Sequence, residues 1–185
     1  MTEVEKKAYL KDLSVLDKIK EFAPFKGNFI KEDIYFAQIG NNDINVYKDP
    51  IFRIRIEDGK QMLSYKKKSL LDKTEVNQEY ELDISHLDQG SLRSFFQYIG
   101  FYPFIEKIKK TALYQFQDKN GFTVSLEHNY VDKLGDFLEI EILLENSSLS
   151  KKAQQSIADI FKKLHIPESD IESKYYIDLL MEKNL

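Results

Sequence analysis

The strongest constraint on this chain is an alternation of charged and apolar side chains along short β-compatible runs. Successive side chains of a strand point to opposite faces, so residues two apart share one. Glu3, Glu5 and Lys7 share a face in the first run, and Arg53 and Arg55 alternate with Phe52, Ile54 and Ile56. Glu79, Glu81 and Asp83 oppose Tyr80, Leu82 and Ile84, and Lys107 and Lys109 flank Ile108. Thr123, Ser125 and Glu127 oppose Phe122, Val124 and Leu126, and Glu139 and Glu141 oppose Leu138, Ile140 and Ile142. Such strands bury one face and must give the other water or partners.

Turn residues delimit the strands. Asp58-Gly59 joins Ile51–Glu57 to Gln61–Lys68, and Asn120-Gly121 joins Ala112–Gln117 to Phe122–Glu127. Both dipeptides favour the positive backbone angles of tight hairpins. Glu3–Leu10, Lys31–Gln38, Ile44–Tyr47, Glu75–Ile84 and Phe137–Leu144 are further strand-like stretches. Eight or nine strands imply a large antiparallel sheet or barrel. Helical spacing links Leu13, Leu16 and Ile19 behind Asp12 or Ser14 as cap, and Leu92, Phe95, Phe96 and Ile99 ahead of Gly100. Ser150 is expected to cap a third helix carrying Ala153, Ile157, Ile160, Phe161 and Leu164. Tyr176, Leu179 and Leu180 mark a short fourth helix. With no internal repeat or linker, residues 1–185 read as one α+β domain.

The 27 basic and 31 acidic side chains leave a net charge of −4, which argues against a nucleic-acid partner. Without cysteine there is no disulfide, thiolate zinc site or thiol chemistry. No apolar run is long enough to cross a membrane and the first residues are charged, so a soluble cytoplasmic protein without a membrane partner is expected. The glycines are scattered singly, which excludes the usual phosphate-binding loops, and His86, His128 and His165 lack metal-ligand spacing. Tyr35 is an aromatic that could stack on a base.

The charged faces also sort by sign. Glu3/Glu5, Glu79/Glu81 and Glu139/Glu141 are acidic pairs, whereas Arg53/Arg55 and Lys107/Lys109 are basic ones. A face that only solubilises a sheet usually mixes signs. Like charges repel, and they persist more readily around something of opposite charge. Clustered carboxylates suit hard divalent cations and clustered Arg and Lys suit phosphate oxygens, so the pattern points to a metal and a polyphosphate on one charged face.

The motifs in order resemble a known family. Glu3-Val4-Glu5-Lys6-Lys7 is similar to the ExExK signature of the CYTH superfamily, the triphosphate tunnel metalloenzymes. Asp33-Ile34-Tyr35-Phe36 resembles its D-x-Y-F strand, Phe52-Arg53-Ile54-Arg55 its L-R-I-R strand, and Ser64-Tyr65-Lys66 its T-x-K. Glu79-Tyr80-Glu81 resembles the acidic central strand, and Gly100-Phe101, Lys109 and Tyr114 resemble a G-F…K-x-R-x-x-Y segment. Leu126-Glu127 and Leu134-Gly135-Asp136-Phe137-Leu138-Glu139-Ile140-Glu141 are similar to its last two strands.

The resemblance implies an eight-stranded antiparallel β-barrel around a charged tunnel, with helices packed outside. By matching position, Lys7, Arg53, Arg55, Lys66 and Lys109 would bind triphosphate. Glu3, Glu5, Glu79, Glu81, Glu127, Glu139 and Glu141 would form the acidic set for Mg²⁺ or Mn²⁺, with Glu5 and Glu139 as direct ligands. Glu5, Glu139 and Lys7 would carry the chemistry. The class IV adenylyl cyclase branch, which converts ATP to cyclic AMP and pyrophosphate, is the most similar. A triphosphatase acting on an inorganic or organic triphosphate, or a non-catalytic polyphosphate- or nucleotide-binding module, is the alternative. Related barrels often pair as homodimers. Two positions depart from the family pattern: Thr111 stands where an arginine is usual, and Glu127 where an aspartate is usual. Lys107 is placed to compensate for the missing arginine, whereas Lys110 falls on the opposite face. The segment from His128 to Lys133 reads as a loop.

Overall fold

The computed structural model describes residues 2–38, 52–67, 70–71 and 74–184. The strand read at Ile44–Tyr47 lies outside the described residues. The elements run β1 (Thr2–Tyr9), α1 (Val15–Lys20), β2 (Phe25–Gln38), β3 (Phe52–Glu57), β4 (Lys60–Lys67), β5 (Leu70–Leu71) and β6 (Thr74–Asp83). There follow α2 (Gln89–Tyr98), β7 (Phe101–Gln117), β8 (Thr123–Val131), β9 (Gly135–Leu144), α3 (Ser150–Lys163), β10 (Ile171–Glu172) and α4 (Tyr176–Asn184).

Eight antiparallel strands pair in the order β1-β9-β8-β7-β2-β3-β4-β6, and β6 pairs back with β1, closing the barrel. The two-residue strands β5 and β10 sit on its margins, on β6 and β1. Closure removes the exposed edges that an open sheet of this size would carry. It also decides which face is inside. The narrow interior receives the charged faces, and the apolar faces turn outward, where helices cover part of them and leave Ile30, Tyr80, Leu82 and Ile108 exposed.

Val4, Leu126, Leu138 and Ile140 are fully buried beneath Ile19 of α1 and Ile157, Phe161 and Leu164 at and after α3. A second cluster seats Phe96 of α2 on Ile34, Phe36 and Ile54. The Phe36 and Phe52 rings stack at 5.2 Å, and Phe96 packs on both. Phe95 and Ile99, expected on the buried stripe of α2, are 57% and 49% exposed, so only the Leu92 and Phe96 side of that helix meets the sheet. No helix among the described residues is long and apolar enough to cross a membrane.

Local signals explain most boundaries. Asp58 and Gly59 both have positive φ, at 49° and 76°, as a two-residue hairpin between β3 and β4 requires. The Asn120-Gly121 turn differs from expectation: only Gly121 has positive φ, and Asp118 N–H bonds the Phe122 carbonyl across a wider loop. The Asp118 carboxylate organises that loop by accepting from the Asn120 and Phe122 N–H groups. Pro103 lies inside the 17-residue β7, where proline cannot donate to a ladder. A register shift places Phe36 opposite Pro103 and Tyr35 opposite Ile105, leaving Phe104 as the extra residue of a bulge. β8 continues through Val131, so most of the segment read as a loop from His128 is strand.

Ser150 does not cap α3; it is the first helical residue, and its hydroxyl bonds the Ser147 carbonyl. The capping side chain lies upstream, where Asn146 accepts from Ser148 N–H at the start of a single 3₁₀ turn. Asn146→Ala should therefore cost about 1 kcal/mol, more than Ser150→Ala. Leu126→Ala, at a fully buried core position, should cost about 3 kcal/mol. Urea denaturation followed by circular dichroism measures all three.

Candidate active site: the charged tunnel

The register converts the sequence alternation into facing charges. Asp33 of β2 is paired with Arg55 of β3, and Tyr35 with Arg53. Lys66 of β4 lies opposite Glu79 of β6. Glu5 has Glu75 of β6 opposite it on one side and Glu141 of β9 on the other, while Lys7 lies opposite Glu139. Like charges directly across a sheet are destabilising, so the row Glu75–Glu5–Glu141 requires compensation.

Part of it comes from lysines. Lys7 Nζ lies 2.5 Å from Glu75 Oε1, and Asn77 donates to the other Glu75 oxygen at 3.0 Å. Lys66 Nζ is 2.5 Å from Glu3 and 3.5 Å from Glu5. Lys109 Nζ bridges Glu127 and Glu139 at 2.9 Å each, and Lys31 takes the second Glu127 oxygen at 2.9 Å. The basic wall is arranged around Asp33, which is 1% exposed. Arg55 Nε donates to it at 2.7 Å, Lys107 Nζ lies at 2.8 Å, and an Arg53 terminal nitrogen is 3.7 Å away. Arg53 also donates to Glu79 at 2.8 Å, and its buried Nε makes no hydrogen bond among the described residues. All of these side chains except Asp33 and Asn77 line a cavity of about 110 Å³.

Proton affinities record the imbalance. Burial and the neighbouring Glu5 push Glu3 up to about 7. Burial, Glu5 and a hydrogen bond to it raise Glu75 to about 9 despite Lys7. Glu141 is raised well above the carboxylate range, first by burial and then by Glu3 and Glu5. Burial would also raise Asp33, but Lys107, Arg55 and Arg53 outweigh it and hold the carboxyl well below its usual value. Glu5 and Glu127 are likewise buried and lowered, chiefly by Lys66 and by Lys109 respectively. The acidic wall thus keeps an unmet demand for positive charge, and the basic wall does not.

Oxygens of Glu3, Glu5 and Glu141 lie within 4.8 Å of one another. Three converging carboxylates form a hard-oxygen donor set that fits Mg²⁺ or Mn²⁺. Glu139 stands apart from this trio, engaged by Lys109 and by Asn129 Nδ2 at 2.7 Å. Glu79 lines the cavity, whereas Glu81 is exposed and accepts from Ser64 at 3.3 Å. Tyr35 stands in the tunnel wall with its hydroxyl accepting from Lys107 Nζ at 3.3 Å.

Four participants escaped the sequence reading. Glu75 shares the face of Glu79 two strand steps earlier, and Lys31 shares that of Asp33, so alternation alone could have included both. Asp33 stood inside a recognised motif without an assigned role. Asn129 lay in the stretch read as loop. Its Oδ1 accepts from Thr111 at 2.6 Å, and its amide meets Glu139 and, at 3.2 Å, Glu127. At the position where an arginine is usual, this neutral pair donates to the same carboxylates without adding charge. Lys107 lies with Asp33, on the inward face, and Lys110 is exposed on the other.

The sequence profile of the CYTH domain matches residues 1–176. A Methanocaldococcus jannaschii protein named "Putative adenylate cyclase" is 31% identical over 186 residues, spanning 97% of this chain and 98% of that protein. The PH1819 protein of Pyrococcus horikoshii superposes with a TM-score of 0.79 at 29% identity, over 98% of this chain and 99% of its own. A Hippeastrum protein shares the fold at a TM-score of 0.67 and 19% identity, over 99% and 97%.

The raised carboxyls fix a pH dependence. A carboxyl whose folded value exceeds its value of 4.5 in the unfolded chain loses its proton first on unfolding, so stability falls as pH rises between the two values. Glu3 and Glu75 therefore place a decline in stability between about pH 4.5 and 9. Thermal melts at constant ionic strength should show a lower Tm at pH 8 than at pH 5.5 in EDTA. Saturating Mn²⁺ should raise Tm more at the higher pH, because protons then compete less for the carboxylates.

Proposed function

The chain belongs to the CYTH domain family, and on that premise we propose that it is a divalent-metal-dependent enzyme acting on a nucleoside triphosphate within the tunnel, converting ATP to cyclic AMP and pyrophosphate. The observation that carries this reading is the division of the tunnel into a cationic wall and a carboxylate trio. Arg53, Arg55, Lys66, Lys107 and Lys109 supply donors for a polyphosphate chain, and the buried Arg53 Nε is a donor without a protein partner among the described residues. Guanidinium and ammonium groups carry more N–H donors than one carboxylate takes up, so they can serve phosphate oxygens while keeping their carboxylate partners. The name of the 31% identical relative supports the cyclase reading.

In this reaction the ribose 3′-oxygen attacks the α-phosphorus, its proton is lost, and the bond to pyrophosphate breaks. Arg53, Arg55 and Lys107 hold the phosphates in line and stabilise the charge that grows on the leaving group. Lys7, kept cationic by Glu75, Glu5 and Glu139 against the effect of burial, adds charge beside the carboxylates. Glu3, Glu5 and Glu141 would hold a cation, with Glu139 as a further ligand if it exchanges Lys109 for the metal. Such a cation would acidify the attacking hydroxyl and offset phosphate charge.

A hydrolytic reading uses the same wall with the terminal phosphorus facing water. The Hippeastrum relative in fold is described as having a dominant triphosphatase activity. The neutral Thr111–Asn129 pair favours a third outcome, binding without turnover, because it removes a charged phosphate donor.

Product analysis after incubation with ATP or tripolyphosphate and Mg²⁺ or Mn²⁺ separates these readings. Cyclic AMP with pyrophosphate is expected, orthophosphate alone would replace the cyclase by a phosphohydrolase, and binding without product would leave a module. Glu5→Gln should lower turnover at least 100-fold, and Arg53→Ala should weaken triphosphate binding at least tenfold. Unchanged metal-dependent binding in both variants would refute the site.

A further inference from the structure

The tunnel has different ends. Tyr9 closes β1, Val131 closes β8, and Ile105 and Phe137 lie near the starts of β7 and β9, so all four stand towards one rim. Helix α4 sits over that rim. Tyr176 and Leu179 pack with Val131, Phe137 and Tyr9, and Ile177 and Leu180 pack with Ile105 and Tyr35. Tyr175, Tyr176 and Ile177 consequently line the cavity at that end. The carboxylate trio lies on the other side of Lys7, because Glu5 and Glu3 precede Lys7 on β1 and Glu141 follows Glu139 on β9.

Tyr176 is buried, with only 7% of its surface exposed, yet its hydroxyl makes no hydrogen bond of good geometry among the described residues. A phenol keeps its proton at neutral pH, so the hydroxyl is a donor. The nearby Glu139 carboxylate is already engaged by Lys109 and Asn129. A buried hydroxyl without a partner carries a desolvation cost that a ligand can remove. The surroundings indicate the sign of that ligand. Lys7 Nζ of β1 and Lys107 Nζ of β7 lie 5.4 and 5.2 Å from the centre of the Tyr176 ring. Their present carboxylate partners are Glu75 and Asp33, so an anion reaching this end would meet two ammonium groups and one spare phenolic donor. The protein supplies an end wall to the tunnel and puts a donor on it.

We propose that Tyr176 is the chain-length-determining residue of this site: its hydroxyl donates to the terminal phosphate of a bound triphosphate, and the helix that carries it excludes a fourth phosphate. The inference rests on the triphosphate reading above and adds an orientation to it. The terminal phosphate goes in first, to the closed end, and the phosphorus nearest the nucleoside stays by Glu3, Glu5 and Glu141. That orientation favours attack at the α-phosphorus over attack at the terminal one.

Calorimetry of the full chain in EDTA, with tripolyphosphate and tetrapolyphosphate as probes, tests this without turnover. The wild type should bind tripolyphosphate at least tenfold more tightly than tetrapolyphosphate. Tyr176→Phe, which keeps the ring and its packing, should weaken tripolyphosphate binding about tenfold. Tyr176→Leu should shift the preference towards tetrapolyphosphate; if it fails to fold, Tyr176→Phe still decides. Unchanged tripolyphosphate affinity in Tyr176→Phe, or equal affinities for the two probes in the wild type, would overturn the proposal and leave the triphosphate reading standing. A wild type that binds neither probe in EDTA nor ATP with Mg²⁺ would instead remove that reading, and the inference with it.

Discussion

Everything in this protein depends on burying ionised side chains inside a barrel too narrow to hydrate them fully. An isolated buried charge is costly, so each must be paired or change its protonation state. Asp33 shows the first solution: three cations surround one carboxylate that is nearly inaccessible to solvent. Glu3, Glu75 and Glu141 show the second, their proton affinities raised first by burial and then by the carboxylates beside them. The helices outside serve the same end indirectly. By burying the apolar faces of β1, β8 and β9 and part of β2 and β3, they help hold the opposite faces toward the tunnel.

Local rules made the wall of the site legible from the amino-acid order. Period-two alternation places Glu3, Glu5 and Lys7, or Arg53 and Arg55, on one face whatever the strands pair with. Which strand lies opposite which is a different kind of information. Nothing near Glu5 says that Glu75 and Glu141 flank it, because those contacts are set by barrel closure across 70 and 136 residues. Asn129 was missed for a related reason: His128 to Lys133 looks like a loop until the pairing with β7 extends the strand. The fold class, the helices and the charged interior were accessible to sequence, while Asp33 as a hub and α4 as a cover needed the three-dimensional register.

The Thr111–Asn129 pair illustrates how a charged contact can be replaced without opening a void. Thr111 is 3% exposed and Asn129 is fully buried, so the space an arginine would fill is already closed. Their hydrogen bonds leave Lys109 as the cation that spans Glu127 and Glu139. An arginine introduced at position 111 would add a charge beside Lys109 and displace the Asn129 amide from Glu139. Thr111→Arg would therefore need a second change at Asn129 to be accommodated.

Closure through β1 also has a consequence for how the tunnel comes into being. The strand carrying Glu3, Glu5 and Lys7 is synthesised long before one of its barrel neighbours, β9, which ends at Leu144. Contacts of such long sequence separation are slow to form. Until β9 has been made, the growing chain holds the early acidic residues but lacks Glu139 and Glu141, and β1 has an unpaired edge. The arrival of β9 sets Glu141 opposite Glu5 and Glu139 opposite Lys7, so one strand completes both the acidic row and its contact with a lysine. The charge pattern of the interior is therefore complete only when the barrel closes.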